Sequence, residues 1–149
     1  MTPDAGAVYT GSSSNCSPAG SSFPTVFCTA PSGGGTVSVS FGYQLTLLRV
    51  AGGALSWTAS PGVGGSGAAG NVSSNSAMNF AFPAGSVLTL TAAPNTGNTV
   101  TWSGACASST GNTCTVTMDQ AKSATATFST PLSVVVSGPG TVKIGRAHV

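Results

Sequence analysis

The chain has 149 residues and a formal net charge of +2, with four cations (Arg49, Lys122, Lys143, Arg146) set against two carboxylates (Asp4, Asp119). Four scattered cations are no electrostatic footprint for nucleic acid or anionic lipid, and a hydrophobic content of 40% excludes charge-driven disorder. With 23 serines, 20 threonines and 21 glycines, hydroxyls and amides rather than ions keep the chain in water, which points outside the cell.

In chain order, the first landmarks are cysteines. Cys16 and Cys28 form one local pair, and Cys106 and Cys114 a second. An even count in a charge-poor, hydroxyl-rich chain predicts two disulfides. Each short loop would stabilise the fold by about 2.5–3 kcal/mol on the loop-entropy estimate. The rival reading is one zinc ion held by all four thiolates; it lacks a C-x-x-C pair, and the one histidine is His148. No run is apolar for long enough to span a bilayer, since the best, 45–50, is short and contains Arg49. No basic n-region or apolar h-region opens the chain, so the expectation is an internal fragment of a longer secreted protein.

Segment 60–76 is rich in Gly, Ser, Ala and Asn, and it predicts a solvated insertion rather than a ligand loop. Beyond it the apolar residues recur at every second position: Met78, Phe80 and Phe82; Leu88, Leu90 and Ala92; Cys114, Val116 and Met118; Ala124, Ala126 and Phe128. That is strand periodicity. Thr and Ser occupy the opposite face, where they suit a pleated, half-wet surface. Pro83-Ala84-Gly85, the run from Pro94 to Asn98, and Gly138-Pro139-Gly140 supply the turns. The prediction is an all-β chain of small antiparallel sheets with little helix. A single helical turn over 119–123, capped by Asp119, is the exception.

The chain also repeats itself. Phe41 and Phe128 are 87 residues apart, as are Leu45 and Leu132, and Gly53 falls on Gly140 at the same offset. Leu132, Val134 and Val136 alternate as a strand should. The expected organisation is therefore tandem: 1–42 the tail of a preceding repeat, 43–130 one whole repeat of five or six strands, and 131–143 the first strand of the next. The last six residues, 144–149, break the pattern and resemble the translation of a common sequencing-adaptor read; they are expected to be non-native.

Within the whole copy, Gly85-Ser86-Val87-Leu88-Thr89-Leu90 precedes Trp102-Ser103-Gly104-Ala105-Cys106. Cys114-Thr115-Val116-Thr117-Met118 follows, and Ser123 to Phe128 closes the series. This ordered set resembles the divergent internalin B-repeat domain of bacterial surface and secreted proteins. Two departures are visible. Tyr9-Thr10-Gly11 stands where the earlier copy would carry Trp-Ser-Gly, and 78–82 has no cysteine. The resemblance implies a non-catalytic extracellular repeat, with Trp102, Gly104, Met118 and Phe128 as structural motif positions. Such repeats serve as spacers, adhesion segments or accessories to a larger secreted polypeptide. The family is β-grasp-like with a helix; the little helix here leaves β-grasp-like and sandwich-like arrangements both open.

Chemistry is scarce. Nucleophilic catalysis needs a base beside Ser or Cys, and the lone histidine lies in the suspect tail. Glycoside hydrolysis needs two nearby carboxylates, and Asp4 and Asp119 fall in different copies. Carboxylate metal sites lack ligands. The expectation is no enzyme, no cofactor and no metal, with an unknown protein or polysaccharide at the cell surface as partner. The alternative is a carbohydrate- or cell-wall-binding accessory module of a secreted hydrolase, with Trp57 and Tyr43 offering flat faces to sugar rings. Trp102 is expected to pack over the Cys106–Cys114 loop instead.

Overall fold

The computed structural model describes residues 6–12, 16–18, 26–29, 32–60, 69–141, 143 and 145. Eleven strands follow one another, with no helix among the described residues: β1 (Ala7–Ser12), β2 (Cys16–Pro18), β3 (Val26–Cys28), β4 (Val39–Val50), β5 (Gly53–Ala59), β6 (Ala69–Val72), β7 (Met78–Pro83), β8 (Val87–Pro94), β9 (Thr99–Gly104), β10 (Thr113–Thr117) and β11 (Lys122–Ser129). Each strand of the second half is apolar on one face only, so it must cover that face against another layer. Two sheets do this. One contains β1, β4, β11, β9 and β7; the other runs β10-β8-β5-β6. β2 and β3 form a separate two-stranded ladder.

Leu45, Leu47, Phe82, Trp102, Ala124, Ala126 and Phe128 of the first sheet join Leu55, Trp57, Val72, Leu88, Leu90, Ala92, Cys114 and Val116 of the second in one buried cluster. Two sheets sharing one core make a sandwich-like arrangement. Burial alternates strictly along β8 and β10, with Leu88, Leu90 and Ala92, then Cys114 and Val116, inward. The period-two pattern is thus expressed as packing.

Several expectations need correction. The first sheet is mixed rather than antiparallel, because β11 pairs with β4 in parallel, from Lys122↔Leu45 to Thr127↔Val50. Among its described residues, span 43–130 holds eight strands or parts of strands rather than five or six. Segment 60–76 is not all loop: β6 lies inside it and pairs with β5, Val72 opposite Leu55. No helical turn forms over 119–123. Asp119 instead turns back on Thr117 through its backbone N–H and pairs with Lys122 at 2.7 Å, where Lys122 Nζ also donates to the Thr117 carbonyl. Residues 131–137 pair with no strand among the described residues, and Leu132 is 76% exposed.

The boundary expected at 42/43 falls inside β4. That strand runs unbroken for 12 residues, pairing first with β1 (Ala7↔Tyr43 to Ser12↔Val39) and then with β7 (Gly42↔Pro83 to Leu47↔Met78). Residues 61–68, Asp4, Arg146 and His148 lie outside the described residues.

Candidate functional site

Two positions concentrate the side chains singled out by the sequence. At the first, β9 leaves one sheet and β10 enters the other, so the connection must cross between layers. Gly104 ends β9 with φ of 69°, in the left-handed region that favours glycine. A Cβ there would also collide with the Ser123 carbonyl oxygen. Cys106 follows and is bonded to Cys114 on β10; both are buried, their Cα atoms 5.8 Å apart. The crossing is thus tied covalently at the point where backbone pairing is interrupted. Trp102, 6% exposed, reaches into this loop and donates its indole N–H to the Gly111 carbonyl at 2.9 Å. Met118, fully buried, closes the return crossing: its N–H donates to the Ser86 carbonyl, and its carbonyl accepts from Gly85 N–H. Phe128 is buried at the other end of β11, its ring against Gly53.

The second position is aromatic. Trp57 on β5 meets Phe80 and Phe82 of the opposite sheet edge-on, with ring centroids 5.3 and 4.9 Å apart. These are the offsets that aromatic quadrupoles favour. Gly70 of β6 lies flat against the indole; a Cβ there would come within 2.7–2.8 Å of its ring atoms. Trp57 keeps 7% of its surface, and its Nε1 has no hydrogen-bond partner among the described residues. Tyr43 is half-buried against the same core. Neither tryptophan presents an open face to a flat ligand; of the two sequence-selected aromatics, Trp57 packs within the core and Tyr43 keeps part of its surface.

Cys16 and Cys28 are bonded as paired, across the β2–β3 ladder, with Cys28 exposed. The four described cysteine sulfurs are therefore all in disulfides. Among the described residues no group of three or more His, Cys, Asp or Glu side chains stands ready to hold a metal ion. The exposed Asp119 carboxyl is held below its ordinary value chiefly by the hydrogen bond from Lys122, with desolvation acting in the opposite direction.

Two features escaped the sequence reading. Arg49 sits on the inward-facing register of β4, beside Ala126, which is itself paired with Trp102. Its guanidinium donates to the Gly53 and Ser73 carbonyls, and among the described residues no carboxylate pairs with it. A lone cation in an apolar run gives no sequence signal of this kind.

The other feature is the regularity of the outer faces. On the second sheet, Thr113, Thr91, Ser56 and Asn71 lie in one cross-strand row, and Thr115, Thr89, Thr58 and Ala69 in the next. On the first sheet, Thr101 pairs with Thr127 and Ser103 with Thr125. These hydroxyls lie in uncharged ladders with no imidazole or carboxylate in their rows. They can both donate and accept hydrogen bonds.

Among the described residues, no helix is long and apolar enough to cross a membrane. In comparisons with known proteins, no family model, no curated protein and no solved structure matches the chain.

Proposed function

We propose that this chain is a non-catalytic extracellular repeat module of a bacterial secreted or cell-surface protein, serving as a structural spacer or adhesion segment. The observation that carries this is a strand pairing that occurs twice, in registers that differ: Tyr9 meets Phe41, whereas its counterpart Trp102 meets Ala126. β9 and β11 pair antiparallel, Val100 opposite Phe128, with the Cys106–Cys114 disulfide between them in sequence. β1 and β4 also pair antiparallel, Tyr9 opposite Phe41, with the Cys16–Cys28 disulfide between them. Phe41 and Phe128 are the residues that the 87-residue offset equates. β4 then continues through Gly42 into Leu45 and Leu47, so one strand ends the first unit and begins the second. By the same register, Leu132 and Val134 take the places of Leu45 and Leu47 in a following unit, which accounts for their exposure at 76% and 44%. Two disulfides and the charge-poor, hydroxyl-clad faces support an oxidising, extracellular setting.

The test is a chain in which Pro131 is followed by a second copy of residues 45–149. The expected product is one elongated monomer by small-angle scattering, with the amides of the joining strand protected from exchange. Two units tumbling independently about the junction would overturn the repeat reading. Retention of the unmodified chain on cellulose, chitin or peptidoglycan, with a change in tryptophan emission, would replace the spacer role with a binding one.

A further inference from the structure

We infer that the two-sheet unit is a load-bearing link, in which β4 and β11 form a clamp sheared along its length when the chain is pulled. This rests on the spacer reading above and adds what the spacer resists. β1 joins the same sheet earlier in the chain, but β4 and β11 are the first and last strands of the 43–130 unit, and they are direct neighbours paired in parallel over six residue positions. In a parallel pair, the N-terminal end of one strand and the C-terminal end of the other lie at opposite ends of the shared ladder. Tension entering before Val39 and leaving after Ser129 therefore pulls the two strands past each other. Every bond of the ladder is loaded together. Were the same strands antiparallel, entry and exit would share one end, and the bonds would open singly.

Three further observations strengthen the clamp. Each strand is held on both edges: β4 between β7 and β11 over Leu45–Leu47, and β11 between β4 and β9 over Ala124–Thr127. The inward side of the ladder is sealed by Leu45, Leu47, Ala124 and Ala126, each at most 1% exposed. Water competes poorly for hydrogen bonds in such surroundings, and a broken one leaves unsatisfied groups. Finally, the Cys106–Cys114 bond ties β10 to the end of β9, within the chain that the clamp encloses. It carries no tension until β4 and β11 have separated, and it then keeps its own loop closed.

The measurement is single-molecule pulling of the full chain from two pairs of site-specific handles. Handles at Thr36 and Thr130 load the clamp in shear; handles at Ala51 and Thr130 pull the C-terminal ends of both strands apart and unzip it. All three positions are exposed. At equal pulling speed the shear geometry is expected to rupture at a force at least about twofold higher, because forced unfolding follows the barrier and the barrier now holds the whole ladder. Equal or lower force in shear overturns the proposal. Equal melting temperatures of the two handled chains establish that both are folded, and anchoring at Pro131 repeats the comparison with the Thr130–Asn98 hydrogen bond intact. Weak shear with a rigid tandem removes the clamp alone; strong shear with a floppy tandem removes the repeat reading alone.

Discussion

The two disulfides sit in opposite settings. Cys106–Cys114 lies inside the core, where the chain passes between sheets, roofed by Trp102 and followed by the buried Met118. Cys16–Cys28 joins two three-residue strands with exposed Phe27 beside it, and neither strand belongs to either large sheet. The first bond reinforces a crossing already held by packing. The second holds a ladder too short to persist on its own, since an isolated two-stranded ribbon is marginal in water. One chemistry, two jobs: burial decides which.

That contrast sets an order of effects. Trp102→Ala removes the roof of the buried crossing and orphans the Gly111 carbonyl; a loss of about 3–5 kcal/mol is expected in urea unfolding. Replacing Cys106 and Cys114 together by Ser should lower stability by about 2–4 kcal/mol. The same double replacement at Cys16 and Cys28 should shift the core transition by less than about 0.5 kcal/mol while β2–β3 amide protection disappears. Equal losses from the two double variants would abolish the distinction drawn here. Gly70→Ala, which forces a methyl against the Trp57 indole, should destabilise by about 1–3 kcal/mol and alter tryptophan emission.

Acid should have the smallest effect. Asp119 is depressed in the fold, so its contribution is present above its unfolded value, near 3.8, and lost as pH falls through the lower folded one. Because that carboxyl is exposed, its pair with Lys122 is screened by solvent. The melting temperature is expected to stay level through mildly acid and neutral pH, with any fall confined to conditions more acid than the ordinary carboxylate range.

Much of the sandwich was legible because a strand with one wet face needs only period-two alternation, and β8, β10 and β11 display it without interruption. The cysteine pairing was legible from spacing. What alternation cannot carry is partnership: nothing in 45–50 or 122–127 says that these strands meet in parallel, since direction is set by the intervening route through the second sheet. β6 was missed because Gly70, which reads as loop, is required by the indole lying against it. The turn at Asp119 reads as a helix start until Lys122 is seen to claim its carboxylate. At Trp57 the sequence offers a flat face for a ligand, and only the packing shows the ring buried between Phe80, Phe82 and Gly70.

The hydroxyl ladders that clothe both sheets have a consequence for how such molecules stand beside one another. With so few ionised groups there is little counterion atmosphere, and salt has almost nothing to screen. Neighbouring copies approach with little long-range repulsion, so a concentrated solution of them incurs little electrostatic penalty, in brine as in fresh water.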